Sequence, residues 1–263
     1  MPELPEVATY QKYFQYTALH KKVNHVDIAD ERVVRGDADV FCEALKGQTF
    51  EETDRVGKYL FVRLSSGQWM SMHFGMTGRL KYFKDQEDKH RFTKVMFGLD
   101  NGYHLAFVCP RILGRLGVTE DPAVYQQEKK LGQDALKISL EGFKEQLAGR
   151  TGLIKPLLMN QSFVAGLGNW IVDDILYQTA IHPETHADQL DDEQIEQMYE
   201  KMKYIIKTAI ELEARYHEFP DHFLITHREE GAKSTLYQGE IIRTVVGGRG
   251  TYLCPNGQVL EEK

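Results

Sequence analysis

A change of texture around 121–133 constrains this chain more than any other feature. Before it, from Val23 onward, short runs rich in Val, Phe, Tyr and Leu are punctuated by glycine. Segments 58–64, 69–74, 93–97 and 103–107 read as strands, because aromatic and β-branched side chains suit a half-buried pleated surface. Ser66-Gly67, Asn101-Gly102 and the charged stretch 84–90 read as their connections. Six or more strands over about 90 residues predict an antiparallel sandwich or barrel. After the change, 136–147, 153–160, 169–179 and 192–214 read as helices. The third begins at Asn169, and the last has an acidic first turn that complements the helix dipole. One earlier helix of about 15 residues starts at Pro2 or Pro5, with Val7, Tyr10, Phe14 and Leu19 at roughly helical spacing. Segment 239–259 returns to β-like residues with glycines at its turns, which predicts a hairpin. The expected fold is therefore α+β and multidomain: an N-terminal β-sandwich with a leading helix over 1–130, a helical domain over 131–238, and a hairpin finger over 239–263.

Charge and cysteine content narrow the function classes. The formal net charge of -7 argues at first against nucleic acid. Its distribution argues otherwise, because the acid is concentrated in 171–230, while 63–118 carries nine Lys/Arg against four Asp/Glu. Phosphate binding depends on such local excess and not on the whole-chain sum. A hydrophobic content of 42 % excludes a disordered chain. No run approaches the ~20 apolar residues of a membrane span, and no export signal opens the chain. Cys42, Cys109 and Cys254 lie too far apart for a disulfide framework or a four-cysteine zinc site, which fits a reducing cytoplasm.

Three clusters can carry chemistry. If Met1 is removed, Pro2 presents a secondary amine able to attack a sugar C1′ and form an iminium, with Glu3 and Glu6 close by to move protons. The same residues also suit a plain helix start, with proline at the first position and acids facing the dipole. In 160–183, Gly166-Leu167-Gly168 turns into a helix beginning at Asn169. The N–H groups there can hold a phosphate, with Lys155 in the neighbourhood, or the segment is only a helix-packing unit. Arg249 sits in the glycine-rich Val246–Tyr252 hairpin, as a phosphate clamp or as an exposed turn residue.

The order of five blocks joins these signals. Pro2-Glu3-Leu4-Pro5-Glu6, Gly57-Lys58-Tyr59-Leu60, the stretch from His73 to Leu80, the Val164–Pro183 stretch and Gly248-Arg249-Gly250-Thr251-Tyr252 follow one another. This arrangement resembles the formamidopyrimidine-DNA glycosylase / endonuclease VIII family of base-excision repair enzymes over nearly the whole chain, and Leu4 places it nearer the formamidopyrimidine branch. The resemblance implies a helix-two-turn-helix motif in the helical domain and a bifunctional glycosylase and β,δ-lyase acting on oxidised bases. It implies Pro2 as nucleophile and Glu3 as acid/base. Glu6 and Lys155 fall in the lesion pocket. Lys58, His73, Asn169 and Arg249 hold phosphates, with Lys58 and Arg249 counted also among the catalytic set. Met76, Arg111 and Leu113 fill the void left by an extruded base. The partner implied is double-stranded DNA carrying oxidised bases or abasic sites, bound by a monomer without a membrane.

The sequence departs from the family at three places. The usual Asp-Pro-Arg-Arg-Phe-Gly loop reads Cys109-Pro110-Arg111-Ile112-Leu113-Gly114, with one arginine and the aromatic wedge replaced. Of the family's four zinc-binding cysteines only Cys254 remains, with Gly257 at the last position, so a zincless finger is expected and no metal is assigned. Segment 219–238, where the lesion-covering loop should fall, lacks the family's Gly/Ser-rich character. These departures keep a second reading open: a relative that binds damaged or abasic DNA with little glycosylase activity.

Overall fold

The four strands read from the sequence prove to be the central strands of two sheets. The chain was examined as a computed structural model in which residues 1–260 are described; the finger's last positions, 261–263, lie outside the described residues. Its elements are α1 (Leu4–Thr17), β1 (Val23–Ile28), α2 (Ala38–Leu45), β2 (Phe50–Val56), β3 (Tyr59–Leu64), β4 (Trp69–His73), β5 (Arg79–Phe83), β6 (Thr93–Leu99), β7 (His104–Val108), β8 (Arg115–Thr119), α3 (Pro122–Glu128), β9 (Gln133–Asp134), α4 (Leu140–Leu147), α5 (Ile154–Met159), β10 (Val164–Ala165), α6 (Asn169–Gln178), α7 (Asp192–Glu211), β11 (Ile242–Val246) and β12 (Arg249–Leu253). They form two units, residues 1–2 with 6–129, and residues 3–5 with the chain from Lys130 onward.

In the first unit the sheets run β1-β6-β7-β5 and β2-β3-β4-β8, and each neighbouring pair is antiparallel. Val62, Met70 and Met72 from one sheet share a fully buried core with Phe97, Leu105 and Phe107 from the other. Phe50 meets Phe97 edge-on at 6.1 Å, and Phe14 of α1 meets Phe50 at 5.1 Å. This is the expected sandwich. Its edge strands β1, β2, β5 and β8 carry more polar residues, because one side of an edge faces water.

In the second unit α6 is buried along nearly its whole length, Asp173 and Asp174 included. Helix α7 buries Met198, Met202, Ile205, Ile206 and Ala209, a stripe at three- and four-residue spacing. A reciprocal cap starts α7: Asp191 accepts from the Gln194 N–H at 2.8 Å, while the Asp191 N–H donates to Gln194 Oε1 at 3.0 Å. Helix α4 begins at Leu140 and not at 136, because the Ser139 hydroxyl takes the Gly142 N–H at 3.0 Å and sets the start there. The hairpin pairs β11 with β12 from Ile242↔Leu253 to Val246↔Arg249. Gly247 and Gly248 between them have φ of +56° and +73°, as a two-residue hairpin turn needs. The first part of segment 219–238 packs into the unit, while most of 229–238 is exposed. Phe223 and Leu224 are fully buried, and Asp174 accepts the N–H groups of Leu224 at 3.0 Å and Ile225 at 2.9 Å.

Candidate active site

The N-terminal turn of α6 has no cap from its own sequence, since Gly168 occupies that position. Glu3 supplies it. Its Oε1 accepts the Trp170 N–H at 3.1 Å and its Oε2 the Ile171 N–H at 3.3 Å, with the carboxylate 2 % exposed. Two of the orphan donors of the helix start are thereby satisfied by an anion at the positive end of the dipole. A Cβ on Gly168 would lie 2.1 Å from Glu3 Cδ, and one on Gly166 would lie 2.5 Å from Leu4 Cδ1. The Leu4 N–H also donates to the Gly166 carbonyl at 3.2 Å. The glycine turn that the sequence offers to a phosphate is thus occupied by residues 3 and 4. The missing side chains are what let the Glu3 carboxylate seat there.

Asn169 is the first helical residue, and its Nδ2 donates to the Gly250 carbonyl of the hairpin at 2.8 Å. Lys155, which the resemblance implies in the lesion pocket, is fully buried. Its Nζ donates to Asp173 Oδ1 at 2.5 Å, to Thr251 Oγ1 at 2.7 Å and to the Gly250 carbonyl at 3.3 Å. Asp173 Oδ2 takes Arg228 Nη2 at 2.6 Å and the Tyr252 N–H at 3.3 Å. Burial pushes the Lys155 ammonium down, and the Asp173 carboxylate opposes that push. This cluster ties the hairpin to α5 and α6, and leaves Arg249 exposed beside its turn. Asp173, Arg228 and Thr251 were not singled out from sequence, although two adjacent acids inside the apolar run Ile-Val-Asp-Asp-Ile-Leu are the signal that marks buried, partnered charge.

In the first unit Lys58 follows Gly57 in the turn joining β2 to β3, where Val56 pairs with Tyr59. His73 ends β4, opposite Tyr59 on one side and Arg115 on the other. Burial, Lys58 and Arg115 together hold its pKa down to about 4. His73 is therefore neutral near pH 7. The Gly75 N–H donates to its Nδ1 at 3.2 Å, so the ring proton resides on Nε2, available as a donor. Met76 and Leu113 are 42 % and 44 % exposed, Arg111 is exposed, and Pro2 and Glu6 are half-buried. The loops of Met76 and Leu113 touch: a Cβ on Gly75 would lie 2.4 Å from the Leu113 carbonyl carbon.

The finger does not fit a zinc ion. Cys254 is fully buried, its Sγ 3.8 Å from the Gln238 carbonyl, and its cluster is Tyr177, Leu224 and Ile241. At the position of the family's last cysteine, a Cβ on Gly257 would lie 2.2 Å from the Tyr237 ring, which fills the space. No group of three or more His, Cys, Asp or Glu able to hold a metal occurs among the described residues. Nor, among them, is any helix long and apolar enough to cross a membrane.

A β-sandwich followed by a helical unit with an embedded turn between α5 and α6 defines the helix-two-turn-helix class. Residues 1–116 match the profile of the formamidopyrimidine-DNA glycosylase N-terminal domain, and residues 131–220 that of the formamidopyrimidine-DNA glycosylase H2TH domain. The chain belongs to the formamidopyrimidine-DNA glycosylase family. It is 34 % identical to the formamidopyrimidine-DNA glycosylase of Arabidopsis thaliana, with 100 % of this chain and 72 % of that protein covered. It is 33 % identical to that of Pelotomaculum thermopropionicum, over 98 % and 99 % of the two chains. Among solved structures it resembles the Lactococcus lactis enzyme in complex with DNA containing N7-benzyl-Fapy-dG, at 26 % identity and a TM-score of 0.90, covering 98 % of this chain and 100 % of that one. The same Lactococcus protein bound non-covalently to DNA with an abasic site superposes equally well, at 25 % identity and a TM-score of 0.90, with 98 % and 100 % covered.

Proposed function

We propose that this chain is a bifunctional DNA glycosylase and abasic-site lyase of base-excision repair, acting as a monomer on oxidised bases in duplex DNA. The observation that carries the reading is Glu3: the residue next to Pro2 is a buried carboxylate held by two backbone N–H groups, and Gly168 leaves room for nothing larger. With Met1 removed, the Pro2 nitrogen attacks C1′ of the extruded nucleotide. The Glu3 carboxylate takes the proton that the Pro2 nitrogen sheds on bonding to C1′ and passes it to the ring oxygen as the C1′–O4′ bond opens; the base departs and takes its proton from water, and an iminium links Pro2 to the sugar. Loss of the C2′ proton then expels the 3′-phosphate, and a second elimination expels the 5′-phosphate. Lys58, His73, Asn169 and Arg249 hold the flanking phosphates, Glu6 orders the lesion pocket, and Met76, Arg111 and Leu113 occupy the gap. Lys155 serves this reading as a brace, through Asp173 and Gly250, for the hairpin that presents Arg249.

The reading includes a finger that works without zinc, and three free thiols suit a reducing compartment such as a bacterial cytoplasm. Borohydride trapping with abasic and 8-oxoguanine duplexes tests the reaction. A covalent complex is expected, and it should vanish in Pro2→Gly and in Glu3→Gln. DNA capture without any covalent complex would favour a binding-only relative. Elemental analysis should find far less than one zinc per chain, with trapping untouched by chelator. Stoichiometric zinc whose removal abolishes trapping would overturn the metal-free finger.

A further inference from the structure

We infer that Ile112, which touches no nucleotide in the proposed function, is the positioning residue that presets the void-filling loop. The inference rests on that reading of Arg111 and Leu113. Residues 109–112 form a reverse turn in which the Ile112 N–H donates to the Cys109 carbonyl at 3.2 Å and Pro110 holds the second position. Its last residue is left-handed, at φ +55°. Turn chemistry ordinarily gives that conformation to glycine or asparagine, because it crowds Cβ against the residue's own carbonyl, and a β-branched side chain crowds most. Such a conformation persists only where its surroundings over-determine it.

Several contacts do so here. The Ile112 side chain packs on the sandwich core, so the strained backbone is anchored by apolar burial. Arg115 Nη1 reaches back to the carbonyls of Ile112 at 2.8 Å and Gly114 at 2.7 Å. The Gly114 N–H meets Cys109 Sγ at 3.3 Å, and Gly75, itself at φ +59°, lets the neighbouring loop press on the Leu113 backbone. Arg111 and Leu113 therefore leave the turn on either side of a pinned residue and are held outward before DNA arrives. A wedge built this way need not be ordered each time a base leaves the stack, so less conformational entropy is lost on binding. At the place where the family carries a second arginine, this chain exchanges one phosphate-facing charge for a rigid pivot.

Single-turnover borohydride trapping on two duplexes tests this, one with an abasic site opposite cytosine and one with the same site opposite a tetrahydrofuran residue, which leaves no orphaned base to support. Ile112→Gly accepts the backbone conformation but loses the anchor. It should trap the cytosine duplex roughly ten-fold more slowly than wild type, and the tetrahydrofuran duplex at the wild-type rate. Ile112→Val, which keeps both branch and anchor, should match wild type on both. Equal slowing of Ile112→Gly on the two duplexes would reveal a general folding role and overturn the inference, as would no slowing on either. Wild-type protein that traps neither duplex would overturn the functional reading itself, and the inference with it.

Discussion

The two units hold their functional side chains by opposite means. In the β-sandwich unit, His73, Met76, Arg111 and Leu113 are placed by strand register, apolar packing and close backbone contact at Gly75. In the helical unit, Glu3, Asn169 and the Arg249 hairpin are placed by buried charges and carboxylate caps. A core of two four-stranded sheets is large enough to fix its loops by burial alone. A five-residue-per-strand hairpin is not, and the usual remedy for so small an element is a metal or a disulfide. Here the remedy is the Asp173 cluster with the Tyr237 ring.

Removing the carboxylate at the centre of that cluster should have the largest effect. Asp173→Leu leaves Lys155 buried without its counter-ion and should destabilise the protein by about 3–5 kcal/mol in denaturant unfolding. Adding Lys155→Met should recover part of the loss. A change below about 1 kcal/mol, the worth of an exposed ion pair, would erase the contrast between the units. Next comes Gly168→Ala. Its Cβ would displace the Glu3 carboxylate, so the rate of borohydride trapping should fall about 10²-fold, as for loss of a general acid, while loss of the α6 cap lowers stability by only about 1 kcal/mol. Trapping at the wild-type rate would show that Glu3 needs no such seat. The smallest effect sharpens the contrast through pH.

His73, held down to about 4, refuses a proton that the unfolded chain accepts, so the first unit should lose stability as pH falls from 6.5 toward 4. Asp174, which burial pushes up to about 7, keeps a proton that the unfolded chain releases, so the second unit should lose stability as pH rises from 3.8 toward 7. Amide hydrogen exchange, followed separately in the two units across this range, should show slopes of opposite sign. Slopes of one sign would contradict one of the two assignments, and reversed slopes both.

What was legible from sequence follows the same physical line. Central strands β3, β4, β6 and β7 announce themselves because both neighbours and the core demand apolar and aromatic residues. Edge strand β2, written Phe-Glu-Glu-Thr-Asp-Arg-Val, does not, since half its surface meets water. Helices α6 and α7 were readable within a few residues, because each buries a periodic face. Pro2, Glu3 and Arg249 each carry two readings alone, and the order of motifs favours the chemical one. Asp173, Arg228 and Thr251 did not stand out, because their meaning lies in contacts made across 55 to 96 residues of chain. The Gly166–Gly168 turn leaves two readings open for a related reason: a glycine records that something comes close, but not what, and here Glu3 and Leu4 come close.

The cap that Glu3 places on α6 spans 167 residues of sequence. A nascent chain that has completed only its first unit therefore lacks a seated acid, whatever the state of its proline. On the proposed mechanism, synthesis order becomes a safeguard: a strand-cutting enzyme stays chemically idle until the chain through Gln178, about two-thirds of the polypeptide, has left the ribosome and α6 has formed to receive the third residue.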